Sequence, residues 1–259
     1  MTEYSLDNTW DRAPSRLSLL EQELDQITHR RLSAIGLSSG WRCLEVGGGG
    51  GSVTHWLCEQ VGDTGYVLAT DIEPALLEQA EYPQLKISRH DILKDPPPPA
   101  EFDLVHARWL LHHLPDPVSA IQRMVSSVRP GGWILLEEPD FSPVRLSSCE
   151  SYIVFMSELG RVVDSGSGGN SFWARSMLQE VGRLDLENIG MDADQFLIRG
   201  GKGWAEFFSL TAQQLRSKMT GPDSALIDDG FDAAINLLAD TTFAELGPTG
   251  IAVWGQKLA

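Results

Sequence analysis

The sequence predicts an α/β protein built on a doubly wound, mostly parallel sheet. Short apolar strands alternate with amphipathic helices from about residue 41 to residue 137. The first strand runs directly into five consecutive glycines, Gly47 to Gly51. The second strand ends on an acid, Asp71, about 20 residues beyond that loop. Repeated strand–helix–strand units give parallel pairing, because each crossover helix packs on a sheet face before the chain returns.

The elements follow in order. Leu17, Leu20, Leu24, Ile27, Leu32 and Ile35 recur at helical spacing and predict a helix over 13–36, ended by Gly36. Residues 41–46 read as a strand, 52–61 as a helix and 66–71 as a strand. Pro74 suits the first turn of a further helix. Strands are predicted at 85–89 and 102–106, separated by Pro96–Pro99, which form a stiff loop. A helix over 116–128, capped by Asp116, precedes Gly131-Gly132 and a fifth strand at 133–137. Beyond Pro139 the pattern predicts helices at 150–164 and 171–182, with a flexible Ser165–Gly169 between them. A strand around 195–198, helices at 202–219 and 224–239, and a closing strand at 250–255 complete the chain. One domain is expected: a helical cap (1–36), a binding core (37–140), and lid helices with closing strands (141–259).

Composition narrows the function. The 259 residues carry a formal charge of −16, which repels a phosphate backbone and argues against nucleic acid and anionic membrane surfaces. No apolar run reaches membrane-spanning length and no secretion signal is read at the start, so a cytoplasmic protein is expected. Cys43, Cys58 and Cys149 are far apart and form no CxxC pair; no metal is expected, and Cys43 and Cys58 read as small buried apolar residues.

The chemistry starts at Leu44-Glu-Val-Gly-Gly-Gly-Gly-Gly-Ser-Val. Glycines between a strand and a helix let backbone approach a ligand that side chains would block. Asp71 stands where a carboxylate reaches the hydroxyls of a ribose. To this point a nicotinamide dinucleotide and S-adenosylmethionine (SAM) both fit. Glu45 two residues before the glycines, His90-Asp91-Ile92 after the third strand, and Val128-Arg-Pro-Gly-Gly132 before the fifth favour SAM.

With these motifs in order, the sequence resembles the class I SAM-dependent methyltransferases over roughly residues 13–140. The phrases FDLVHARWLLHHLPDP and VRPGGWILLEEPD resemble the ubiquinone/menaquinone-biosynthesis-like and natural-product groups. The resemblance implies a Rossmann-like, seven-stranded sheet with its last strand antiparallel. It implies that Glu45, Gly47, Gly49 and Gly51 belong to the SAM loop, that Asp71 holds the ribose with Ile72 on adenine, and that Asp91 and Ile92 contact adenine. It further implies that His106 lends its backbone near the methionine end, and that Tyr4 and Arg16 reach the methionine carboxylate from the N-terminal segment. Gly48 and Gly50 depart from the family, where larger residues are common, and suggest a mobile loop.

Methyl transfer to a hydroxyl needs a base near neutrality. His112 and His113 are the candidates, at the carboxyl end of the fourth strand where open α/β sheets bind ligands; a structural loop histidine is the alternative for each. Glu137, Glu138 and Asp140 follow the fifth strand. Phe141, Tyr152, Phe155, Met156, Phe172, Trp173, Phe207 and Phe208 are either core or an apolar acceptor pocket beneath a helical lid. The expected activity is methylation of a small, natural-product-like acceptor, as in secondary metabolism. Alternatives are a SAM-binding enzyme that cyclises or rearranges its substrate, a non-catalytic SAM-binding module, and a dehydrogenase. A homodimer would use the N-terminal and late helices.

Overall fold

The computed structural model describes residues 6, 9–79, 82–221, 224–226 and 228–259. The described residues form a seven-stranded sheet from β1 (Arg42–Val46), β2 (Tyr66–Asp71), β3 (Leu85–Arg89), β4 (Phe102–Arg108), β5 (Val128–Asp140), β6 (Leu186–Arg199) and β7 (Ala244–Lys257). The order is β3-β2-β1-β4-β5-β7-β6. Strands β1 to β5 pair in parallel, and β7 runs antiparallel to both of its neighbours. The Rossmann-like sheet with its inverted last strand is therefore present. No helix among the described residues is long and apolar enough to cross a membrane.

Eight α-helices are described: α1 (Ala13–Ala34), α2 (Ser52–Val61), α3 (Pro117–Ser127), α4 (Glu150–Ser167), α5 (Ala174–Val181), α6 (Trp204–Gln214), α7 (Arg216–Met219) and α8 (Asp228–Ala239). Proline opens α1 and α3, and the Asp116 carboxylate accepts the Ser119 N–H at 2.9 Å as the cap the sequence foresaw.

Side chains alternate across each strand and divide the core. Cys43, Leu104 and Leu135 pack with Leu32 of α1 and the apolar face of α2. Leu44, Val105 and Ile134 pack on the opposite face with α3 and α5. A third cluster lies within the lid, where Phe155, Phe207, Phe208 and Phe231 come together from α4, α6 and α8. Cys43 and Cys58 are fully buried, as their apolar reading requires.

Several boundaries differ from the sequence reading. The Pro74 segment is a 3-10 turn (Pro74–Gln79) instead of an α-helix. Strand β4 runs two residues further, to Arg108. The stretch after Val128 belongs to β5, and β6 and β7 are each 14 residues long. Long antiparallel pairing between β6 and β7 extends them through Gly190 and Gly247, which local propensity marks as breaks. Residues 165–167 continue α4, which ends at a left-handed Gly168.

Candidate active site

A cavity of about 790 Å³ opens at the carboxyl ends of β1, β2 and β4, under α1 and the lid. One end is lined by Glu45 to Gly50, Asp71 to Glu73 and Asp91 to Lys94. The other is lined by Trp109, His112, His113, Phe141, Phe207 and Phe208. Arg16, Leu17, Leu20 and Glu21 of α1 close the glycine end.

The glycine loop is held by neighbours rather than left open. Gly47 and Gly48 donate their N–H groups to the Thr70 carbonyl at 2.8 and 3.1 Å. Gly47 has φ +75°, and a Cβ there would lie 3.1 Å from the Leu110 side chain. A Cβ at Gly50 would stand 2.5 Å from the Glu21 carboxylate, which itself accepts the Ser52 N–H. Gly50 thus has a packing reason in Glu21 of α1, and Gly48 has one in Leu77, whose side chain would stand 2.9 Å from a Cβ there. Gly51 caps α2 and is not among the cavity-lining residues.

Asp71 ends β2 with Oδ2 accepting the Gly49 N–H at 3.1 Å and Oδ1 accepting the Glu73 N–H at 2.9 Å. Burial pushes its carboxyl up from the ordinary value against the pull of these backbone donors. The Ile72 N–H also acts on this carboxylate, and with about four acceptor sites it keeps capacity for a further donor such as a ribose hydroxyl. Ile72 beside it is 44% exposed, an apolar surface at the cavity edge. Asp91 accepts the Leu93 N–H and pairs with Lys94 at 2.7 Å; with Ile92 it forms the neighbouring wall. A cradle of glycines, a braced carboxylate and an apolar ledge fit an adenosine-bearing ligand. Arg16 is buried and lines the cavity, while Tyr4 lies outside the described residues.

His106 does not line the cavity. Strand β4 continues to Arg108, so the backbone at its end belongs to Arg108–Leu110. His106 is instead fully buried between two carboxylates, with Nδ1 2.6 Å from Glu45 Oε2 and Nε2 3.1 Å from Glu137 Oε2. Burial opposes its charge, but the paired acids outweigh that and hold it up at about 9. Glu137 continues the line: it accepts Thr28 Oγ1–H and Arg31 Nη1–H, both at 2.6 Å. Despite burial, His106 and Arg31 hold its carboxyl down at about 2. Arg31 also reaches Asp194 of β6 at 2.6 Å. Arg108 adds bonds to Asp25 at 2.9 Å and Thr28 at 3.1 Å. Alternation puts Glu45, His106 and Glu137 on the α1 face, so this buried chain fastens the cap helix to the sheet.

Glu138 points to the other face. Its carboxylate accepts the N–H groups of Leu110 (2.9 Å), Leu111 (2.7 Å) and His112 (3.2 Å). It also takes the His112 Nδ1–H at 2.6 Å. With Nδ1 as donor, Nε2 of His112 is the basic nitrogen left for the cavity the residue lines. The His113 ring packs against His112, tilted by 40° with 3.9 Å between ring centroids. Burial, then His112 and Arg16, push His113 well below the usual histidine value, so it stays neutral.

Of the aromatic candidates, Phe141, Phe207 and Phe208, with Met156, line the cavity, whereas Tyr152, Phe155 and Trp173 are core. Phe172 lines a separate 240 Å³ pocket with Arg145. Sequence reasoning missed Leu17, Leu20 and Glu21 as cavity residues. The helical period marked Leu17 and Leu20 as apolar without saying that their face meets the glycine loop.

This sheet order with a glycine cradle and acid at the strand ends defines a class I methyltransferase fold, whose methyl donor is SAM. A family model for the methyltransferase domain matches residues 16–189, and the chain belongs to that family. It is 32% identical over 145 residues to Methyltransferase str3 of Strobilurus tenacellus, covering 54% of this chain and 50% of that one. It is 26% identical over 194 residues to the ubiquinone/menaquinone biosynthesis C-methyltransferase UbiE of Laribacter hongkongensis, covering 71% and 76%. The chain spans about half the length of the Strobilurus relatives it matches. A phosphoethanolamine N-methyltransferase 2 of Haemonchus contortus, solved with phosphomonomethylethanolamine and S-adenosylhomocysteine, has the same fold: TM-score 0.62, 12% identity, 99% of this chain and 60% of that one.

Proposed function

We propose that this protein transfers the methyl group of SAM to a small, natural-product-like acceptor held in the lid end of the cavity. The observation that carries the reading is one continuous space with the glycine loop and Asp71 at one end and a carboxylate-oriented histidine among aromatic rings at the other. The UbiE relatives are named for quinone biosynthesis and the Haemonchus structure holds a phosphomonomethylethanolamine, so small acceptors have precedent on related chains.

Asp71 would hold the ribose hydroxyls, Ile72, Asp91 and Ile92 the adenine, and Arg16 the methionine carboxylate. When bound, SAM supplies an electrophilic methyl on a sulfonium, and the sulfur keeps the electron pair of the broken bond. His112 Nε2 accepts the acceptor's proton, while Glu138 fixes the ring and stabilises the imidazolium. Apolar walls exclude water and keep acceptor and donor in line. The acidic surface keeps nucleic acid out of this reading, and a cytoplasmic setting goes with it.

Calorimetry against SAM, S-adenosylhomocysteine and NAD tests the donor; binding of the first two but not the third is expected. A turnover assay then measures S-adenosylhomocysteine released per product. Binding of NAD alone, or product formation without SAM consumption, overturns the proposal.

A further inference from the structure

We propose that the acceptor carries a planar aromatic ring that stacks on Trp109, which makes Trp109 the residue that selects the acceptor. This deepens the methyltransferase reading and rests on it for the second ligand.

Trp109 has φ 54°, a left-handed conformation that bulky side chains adopt only under constraint. The constraint is visible: its N–H donates to the Glu137 carbonyl at 2.7 Å, and the next three N–H groups turn onto Glu138. Glycine would make this turn without strain, so the indole itself needs a reason. Its ring stacks on Trp204, with centroids 5.3 Å apart and planes 22° from parallel. Trp204 stacks in turn on Phe196 at 4.6 Å and 28°. Trp204 and Phe196 are buried and do not line the cavity, whereas Trp109 does. Trp204 also stacks on Phe208 at 5.9 Å and 25°, so these rings carry a stacked column from the lid core to the cavity wall at Trp109, with Phe208 beside it. Phe141 and Phe207 meet the indole at steep angles and fix its plane. The His112 ring lies 5.9 Å from it. A planar acceptor continuing the column places its hydroxyl beside the basic nitrogen.

An aromatic wall also suits an ammonium group, but charge argues against one here. The lining carboxylates Glu21, Glu45, Asp71, Glu73 and Asp91 all lie on α1 or at the ends of β1 to β3, at the glycine end. Glu138, beside His112, already accepts four donors.

The test is calorimetry of the full chain, with and without saturating S-adenosylhomocysteine, using 2-naphthol, decahydro-2-naphthol and choline as probes. Stacking predicts that 2-naphthol binds roughly two- to twelve-fold tighter than its saturated counterpart. Trp109→Leu, which meets the same backbone strain, abolishes that preference, and Trp109→Phe restores it. Equal binding of the two alcohols by the wild type, a preference that survives Trp109→Leu, or tighter binding of choline overturns the proposal. Binding of S-adenosylhomocysteine is read separately: its loss in the wild type defeats the methyltransferase reading, while the ring preference still decides the stacking.

Discussion

Replacing Glu137 by Gln removes one charge from the buried chain that fastens α1 and leaves its shape. Glu137 is 4% exposed and lies between Arg31 and a fully buried His106. Removing one partner of such a set leaves the others under-compensated, at a cost of roughly 3–5 kcal/mol. Arg31 keeps Asp194 at 2.6 Å, and the amide oxygen still accepts one donor, so the low end, about 3 kcal/mol, is expected. For a chain of this size that lowers Tm by about 6–12 °C. The signs with pH follow from the shifts. His106 is raised from 6.5 to about 9, so its stabilisation is complete below 6.5 and lost as pH rises through 9. Glu137 is lowered from 4.5 to about 2, so its stabilisation is complete above 4.5 and lost as pH falls through 2. Urea unfolding followed by circular dichroism from pH 3 to 10 should show a wild-type plateau between these limits. Glu137→Gln should lower the plateau and flatten the alkaline decline. A loss below about 1 kcal/mol at pH 6, or an unchanged alkaline decline, would refute the account of the buried chain.

Three further outcomes are expected. Asp71→Asn should weaken S-adenosylhomocysteine binding about ten- to hundred-fold by calorimetry, because hydrogen bonds to a charged group are lost; an unchanged Kd removes Asp71 from the ribose site. His112→Gln should cut turnover about 100- to 10,000-fold with little change in S-adenosylhomocysteine affinity, and Glu138→Gln should cut turnover in the same direction through the misplaced ring. Gly50→Ala should displace Glu21, whose carboxylate oxygen lies 2.5 Å from the added Cβ, and cost about 1 kcal/mol in denaturant unfolding through the lost Ser52 bond.

The sheet's parallel half and the residues that gather at the glycine end of the cavity were legible before folding was considered. Both rest on local signals: short apolar strands alternating with amphipathic helices, a glycine run between strand and helix, and an acid at the end of β2. Asp71, Ile72, Asp91 and Ile92 came together because strand ends in a parallel sheet share one edge. What followed Pro139 was less legible, since β6 and β7 are held by pairing between distant residues across glycines that read as breaks. The roles of two adjacent acids were set by the folded arrangement alone. Glu137 and Glu138 look alike in sequence, yet alternation along β5 sends one under α1 and the other to His112. The folded arrangement also moved His106 from the ligand to the buried chain, because β4 extends two residues further by pairing with β5. And it ended the column of aromatic rings at Trp109, where no period in the sequence joins residues 109, 196 and 204.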